Sequence, residues 1–406
     1  MKIGLGGGLS LSRLTRKFLI GNCVALIISY VVVTSGEFSK AKGYVLPSGA
    51  TIGGDYVAFY AAGHEAANER AAETYDSRAF EKRLKEVGPS QNYYGLTWQY
   101  PPTYFFAVLP LAGISFIAGY LIWTGVGIAV FFTSLVAAGF QGLFLLAILA
   151  APSTFQAVIT GQNGFLAAAL LMAASYNADK RPVLAGLAAA ALTMKPHIGL
   201  LLPIAYVAGG CWRAFFTAAL GALGLAAASL VAFGTEAWVA FLDGFLDASG
   251  NLTSGRFPLY KMVTPFAAAR LVGLPAEAAA VFHGACAVIA CATTAFVWRR
   301  LDDADLRAAI LCSGVFLVSP YGFYYELVIL TLPAAVLVQR GIESGWLHYE
   351  RLAIFGIFLA PLFLLSQTKS LDLSVGFIVV LAIFVSVLRR IRHERPQTFL
   401  LSRSRV

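Results

Sequence analysis

Long apolar runs separated by short polar joints make up most of this chain. Several runs approach the roughly 20 residues that a helix needs to cross the hydrocarbon core of a bilayer. Spanning segments must satisfy their own backbone hydrogen bonds, which favours a helical bundle. The pattern predicts an all-α polytopic membrane protein with about twelve transmembrane helices. The runs are residues 18–34, 162–178, 183–194, 198–210, 214–233, 276–298, 308–318, 327–338, 352–367 and 373–388, together with blocks inside 103–159.

The charged residues between the apolar runs predict how the chain is oriented across the membrane. Lys2, Arg13, Arg16 and Lys17 precede the first run, and the positive-inside rule places such residues in the cytoplasm. The run is long and lacks an Ala-x-Ala-like cleavage site, so we expect a retained helix. We therefore expect both termini in the cytoplasm of a bacterial cell, a protein of the inner membrane, and a periplasmic segment at 36–100.

Two polar segments are expected to lie outside the membrane within a single membrane domain, 1–406. The first, 36–100, carries aromatic and charged residues over 56–86 in a spacing that predicts amphipathic periplasmic helices. The second is 234–274. Between them, the stretch from Thr103 to about Ile159 holds three apolar blocks. Both ends of this stretch are expected on the periplasmic side, which requires an even number of crossings. We therefore expect two crossings and one block that is short or re-entrant.

Composition narrows the functional class. The chain has 406 residues, of which 58% are hydrophobic and 13% charged, against roughly 25% charged residues in soluble domains. The formal charge of +9 comes from residues scattered over the predicted cytoplasmic joints, which argues against nucleic acid as a partner. The five cysteines lie mostly inside apolar runs, which is typical of packing residues.

Polar groups converge on the predicted outer face. Asp55 opens the first external segment and is a candidate catalytic base, although Gly-Gly-Asp before a helix also fits an N-cap. Lys195 lies between two apolar arms of about 12 residues, where an unpaired lysine costs on the order of 3 kcal/mol. It is expected to pair with an anion. A phosphate is one candidate, and a lipid headgroup or Glu326 is the alternative.

Other residues on this face have two interpretations each. Gln162 and Asn163 either cap the following helix or contact a sugar. The aromatic corner at 321–325 is either an interfacial belt or a surface on which a sugar ring packs. Neither a nucleotide-binding loop nor a metal-ligand spacing is recognisable. An enzyme at this face would then use a lipid-phosphate donor, with its phosphate at Lys195 and its sugar at Asp55.

A set of short motifs resembles glycosyltransferase family 87, whose members have the GT-C fold and include polyprenyl-phosphomannose-dependent mannosyltransferases. The motifs are Gly54-Asp55-Tyr56, Phe59-Tyr60, Ala61-Ala62-Gly63, Tyr75-Asp76, Tyr100-Pro101-Pro102, Gly161-Gln162-Asn163, Met194-Lys195-Pro196, Lys261-Met262, Pro265-Phe266-Ala267-Ala268 and Ser319-Pro320, in that order between residue 50 and about 330.

The resemblance implies an inverting transfer of a hexosyl, mannosyl-like group from a polyprenyl phosphate to a glycolipid or glycan acceptor, without a metal or other cofactor. Asp55 then corresponds to the general base, and Lys195 falls in the Lys-Pro motif with a donor-phosphate role. We add His197, Arg256 and Lys261 to the predicted phosphate site. The predicted sugar and acceptor site comprises Tyr56, Tyr100, Gln162, Asn163, Tyr324, Tyr325 and Glu326. Membrane lipids are the other expected partners.

Two alternatives remain open. Broken helices with an intramembrane lysine are also features of transporters, so a transporter or flippase of an anionic or lipid-linked solute is the main rival. A noncatalytic lipid-binding or assembly protein is the other. One carboxylate with one cation suits transfer from a phosphate, because phosphate is a good leaving group, whereas a glycoside hydrolase would use two carboxylates.

Overall fold

The computed structural model describes residues 12–90, 93, 96–253 and 258–403, which form a helical bundle. The α-helices in chain order are α1 Arg13–Phe38, α2 Tyr56–Ala67, α3 Ser77–Val87, α4 Phe105–Val108, α5 Phe116–Ala138, α6 Leu143–Leu149, α7 Pro152–Ile159, α8 Gly164–Tyr176, α9 Pro182–Leu192, α10 Pro196–Gly199, α11 Leu201–Ala208, α12 Trp212–Thr253, α13 Pro265–Leu271, α14 Ala276–Arg300, α15 Ala304–Val318, α16 Thr331–Ser344, α17 Glu350–Leu371 and α18 Val375–Arg403.

Short 3-10 helices connect several of these elements. They cover Ala71–Tyr75, Pro102–Tyr104, Leu109–Gly113, Leu259–Lys261 and Tyr324–Leu330. The last of these leads directly into α16 and begins at the predicted aromatic corner.

The apolar helices indicate a membrane-embedded protein. Among the described residues, five helices are long and apolar enough to cross a bilayer: Arg13–Phe38, Phe116–Ala138, Trp212–Gly244, Ala276–Arg300 and Tyr324–Ser344. Other apolar helices, such as α8 and α9, are shorter. The count of about twelve crossings and the cytoplasmic position of both termini stay predictions, as do the periplasmic segments 36–100 and 234–274.

The helical breaks around Lys195 and within 103–159 match the sequence pattern. Lys195 separates α9 from α10, and Pro196 occupies the first position of α10, where the missing N–H of proline is harmless. Between residues 103 and 159, α5 is a full-length apolar helix, whereas α6 and α7 are short. The long helix α12 breaks at Gly234, whose φ is +80°.

The helices of segment 36–100 differ from the predicted surface helices. Of the two helices there, α3 is amphipathic, with Phe80 and Leu84 buried and Lys82 exposed. By contrast, nearly every residue of α2 is buried. It packs against α3, α4 and the 3-10 helix Leu109–Gly113. The run Tyr56 to Gly63 is apolar or aromatic throughout, and the buried Glu65 is paired with Arg70 and Arg83, so α2 is a core helix and follows Asp55 directly.

Two large cores flank the region between α2 and α8. One forms around α2 and contains aromatic residues of segment 36–100, such as Phe59 and Trp98. The other contains much of α8, α9, α15 and the 3-10 helix Tyr324–Leu330. The turn Thr160–Asn163 connects them, because it precedes α8 in the second core and contacts the residues before α2 in the first.

Candidate functional site

Asp55 is held at the junction of two turns. Its backbone N–H donates to the carbonyl oxygen of Thr160 at 2.9 Å. Gly53 and Gly54, which precede Asp55, both have positive φ, +86° and +52°, which glycine adopts at little cost. The chain therefore bends sharply into α2 and presents Asp55 to the turn before α8.

Glycine is required on both sides of this junction. A Cβ on Gly161 would lie 2.2 Å from the carbonyl oxygen of Gly53, and a Cβ on Gly54 would lie 2.9 Å from that of Thr160. Gly161 also has a positive φ of +59°. The two backbones thus approach closer than any side chain allows, which brings Gln162 beside Asp55.

The Asp55 carboxylate contacts Gln162 and does not cap its own helix. Its Oδ2 accepts a hydrogen bond from Gln162 Nε2 at 2.8 Å, and its side chain forms no capping hydrogen bond. Burial raises the pKa of the Asp55 carboxyl, while the hydrogen bond from Gln162 and the charge of Lys261 partly lower it. A half-buried carboxylate with a raised pKa is a reasonable proton acceptor at neutral pH.

The next residue, Asn163, reaches the predicted cation. Its Oδ1 accepts a hydrogen bond from Lys195 Nζ at 2.5 Å, and its Nδ2 donates to the hydroxyl of Tyr104 at 2.7 Å. Like Gln162, it makes no capping bond to α8. Two consecutive residues therefore connect Asp55 with Lys195, which places the predicted base and the predicted phosphate-binding cation in one site.

Lys195 pairs with Glu326. Its Nζ lies 2.5 Å from Glu326 Oε1, and the two residues are only 4% and 1% exposed. The alternative partner that the sequence allowed for this lysine is thus present in the structure. The same Oε1 lies 3.3 Å from His197 Nε2, and Glu326 Oε2 accepts from the backbone N–H of Phe323 at 2.9 Å.

Tyrosine rings line the site. The hydroxyl of Tyr100 makes a long 3.5 Å contact with Gln162 Oε1, and its ring packs on Tyr104 with centroids 4.4 Å apart. Burial raises the pKa of Tyr100 well above its usual range, and the neighbouring tyrosine and carboxylates add to the effect. On the Glu326 side, Tyr325 lies with its ring centroid 5.8 Å from Lys195 Nζ and packs against Tyr324.

Lys261 reaches the site from the segment before α13. Met262 forms an isolated bridge with Phe323, and the N–H of Val263 donates to the carbonyl oxygen of Gly322 at 2.9 Å. These contacts fix Lys261 beside the aromatic corner, where its charge acts on Asp55. Arg256, also predicted to bind phosphate, lies outside the described residues.

Tyr56 has a different environment from the other predicted sugar contacts. It is fully buried, and its ring packs against Tyr60, Phe116 and Tyr120 in the core around α2. Its sugar-binding role stays a prediction. Tyr104, by contrast, was missed in the sequence. The available signal was its place two residues after the motif Tyr100-Pro101-Pro102, at the end of the 3-10 helix Pro102–Tyr104.

The exposure pattern shows which groups face open space. Asp55, Tyr100, Gln162, His197, Lys261 and Tyr325 are partly exposed, whereas Asn163, Lys195, Tyr324 and Glu326 are buried. The partly exposed groups thus include the predicted base, Asp55, and two of the predicted phosphate ligands, His197 and Lys261. This arrangement suits a substrate with a hydroxyl at Asp55 and an anion near the cations.

Comparison with known proteins supports one family. Neither the curated proteins nor the solved structures give a match. The sequence profile of glycosyltransferase family 87 matches residues 98–320, which is more than half of the chain and includes Gln162, Asn163 and Lys195. Asp55 and Glu326 lie outside the matched range, and the contacts described above connect both of them to it. The chain belongs to glycosyltransferase family 87.

Proposed function

We propose that this protein transfers a hexosyl, mannosyl-like group from a polyprenyl phosphate to a glycolipid or glycan acceptor, with inversion, at the periplasmic face of a bacterial inner membrane. Asp55 is the general base. Lys195, His197 and Lys261 bind the donor phosphate, and Arg256 is proposed to join them. Tyr100, Gln162, Asn163, Tyr324 and Tyr325 surround the sugar and the acceptor.

The observation that carries this proposal is the pair of adjacent contacts from Gln162 to Asp55 and from Asn163 to Lys195. A glycosyl phosphate needs a base and a cation separated by about one sugar and its phosphate. Gln162 contacts the base Asp55, and the next residue, Asn163, contacts the cation Lys195, so a single donor molecule is able to reach both groups.

The chemistry follows from these positions. An acceptor hydroxyl attacks the anomeric carbon and passes its proton to the Asp55 carboxylate as the new C–O bond forms. The bond from the anomeric carbon to the phosphate oxygen breaks on the opposite face, and the electron pair leaves with the polyprenyl phosphate. Cations beside the phosphate stabilise that developing charge. The proposed reaction involves no metal.

Asp55→Asn tests the base. The substitution keeps size and the contact with Gln162 but removes the proton acceptor, so we expect transfer to fall at least about 100-fold, as is typical for loss of general base catalysis. The measurement is incorporation of sugar from radiolabelled polyprenyl-phosphate sugars into a membrane lipid extract by the purified, reconstituted protein.

Asp76→Asn is the matched control. Asp76 lies in the same external segment, and its carboxylate caps α3 by accepting from the N–H groups of Arg78 and Ala79 at 2.9 and 2.8 Å. This variant should retain transfer. Equal activity of Asp55→Asn and wild type would remove the base assignment, and movement of the lipid across the bilayer without a new glycoside would favour the transporter alternative.

A further inference from the structure

Glu326 is a buried carboxylate that the transfer step does not use. Three groups contact it: the Lys195 ammonium and the His197 ring at Oε1, and the Phe323 N–H at Oε2. With 1% of its surface exposed, Glu326 has little area to offer a sugar. Its role is therefore to be found in its ion pair with Lys195.

The ion pair creates a conflict for a phosphate-binding lysine. A lysine paired with a glutamate presents no net charge to an incoming anion, and the glutamate repels that anion at close range. A buried lysine without an anion is costly. The buried ammonium has a counter-ion at all times, and its charge becomes available to the phosphate, if it leaves Glu326 for the anion when the anion binds.

We propose that Lys195 is an exchangeable cation, held by Glu326 before the donor binds and transferred to the donor phosphate on binding. This inference rests on the proposed function, because it takes the phosphate to bind at Lys195. Glu326 is accordingly a positioning residue and not a sugar contact.

The contacts of Glu326 favour movement of the lysine over movement of the carboxylate. The Phe323 N–H fixes Oε2 at 2.9 Å, and His197 Nε2 lies 3.3 Å from Oε1, so Glu326 keeps two partners when the ammonium leaves. The second ring nitrogen of His197 is then the one that meets the phosphate. Lysine suits this exchange, since its charge is a point at the end of a flexible four-carbon chain with three rotatable donors.

The test measures binding of farnesyl phosphate to the protein in nanodiscs, without turnover. Glu326→Gln removes the competing anion and is expected to bind the probe about tenfold more tightly, a modest coupling for close charges. Lys195→Met is expected to bind it more weakly. Farnesol separates chain binding from phosphate binding, and competition by inorganic phosphate shows whether the anion alone suffices. Equal or weaker binding by Glu326→Gln would overturn the exchange.

The double variant Lys195→Met/Glu326→Gln guards against misfolding of the single glutamate variant and isolates the coupling. If Glu326 acts through Lys195, the double variant binds the probe as weakly as Lys195→Met. If removal of the Glu326 charge tightens binding equally without Lys195, simple repulsion replaces the exchange.

Failure of the exchange and failure of the proposed function give different results. Probe binding that depends on Lys195 but is not strengthened by Glu326→Gln overturns the exchange alone, and sugar transfer remains. Strengthened binding with no sugar transfer to any acceptor leaves the exchange standing and overturns the transferase assignment of this site.

Discussion

Two buried ion pairs, Lys195 with Glu326 and Arg390 with Glu350, have matched carboxylates and different cations. Each glutamate is 1% exposed and accepts a hydrogen bond from the backbone N–H three residues before it, from Phe323 at 2.9 Å and from Leu347 at 3.0 Å. The two carboxylates are therefore fixed by the same local geometry. The pairs differ in their cations and in His197, which also contacts Glu326.

The cations differ in how completely they are held. Arg390 meets both oxygens of Glu350, and its guanidinium also donates to Ser344 Oγ and the Gly345 carbonyl oxygen, each at 3.0 Å. Lys195 has two hydrogen-bonded partners, Asn163 and Glu326. A planar guanidinium bound at several points resists displacement, whereas an ammonium exchanges partners readily. We interpret the arginine pair as structural and the lysine pair as functional.

The largest expected effect that separates the two pairs is on stability. Glu350→Gln leaves the buried Arg390 with only the Glu394 carboxylate, 3.8 Å away, as a counter-ion, and breaking a buried pair typically costs up to about 3–5 kcal/mol. We expect a clear loss of thermal stability in detergent, measured as the temperature at which the monodisperse peak is lost in size-exclusion chromatography. The fraction that remains folded should keep its specific activity, and unchanged stability would contradict a structural role.

Lys195→Met should reduce sugar transfer strongly and stability only slightly, the reverse of Glu350→Gln. Methionine fills a similar volume without charge, and Glu326 retains His197 and Phe323 as partners, so stability should fall less than in Glu350→Gln. Transfer should fall by about 100-fold in kcat/KM, in line with loss of one group that stabilises developing charge. The readouts are initial rates against donor concentration and the same chromatographic midpoint. A variant that loses stability but keeps transfer would make Lys195 structural.

Residue patterns indicated candidate members of this site but not the contacts between them. Lys195 between two short arms indicated a buried cation that needs an anion, and the structure pairs it with Glu326. The link between Asp55 and Lys195 was not predictable, since it depends on how close Gly54 and Gly161 let two distant turns approach. Such long-range packing leaves no periodic signal in the sequence.

For the fold as well, the sequence predicted the elements better than their packing. Apolar runs located most helices and the break at Lys195. The unbroken run of apolar and aromatic residues from Tyr56 to Gly63 was a signal that α2 lies inside the protein, and the surrounding charges of the segment obscured it. Short broken helices such as α6, α7 and α10 are harder to assign, because helices of their length either cross the membrane as parts of a longer path or turn back within it.

Gln162→Leu gives the smallest expected effect and separates orientation of the base from binding of the phosphate. Gln162 lowers the raised pKa of Asp55 through its hydrogen bond, so its removal raises that pKa further. Because the base acts when deprotonated, the acidic limb of the kcat/KM profile should move to higher pH. The rate at neutral pH should fall about tenfold, less than the roughly 100-fold or more expected for loss of the base itself. Farnesyl phosphate affinity should stay as in wild type, because the Lys195 contacts are intact; an unshifted acidic limb with weakened affinity would instead assign Gln162 to the donor.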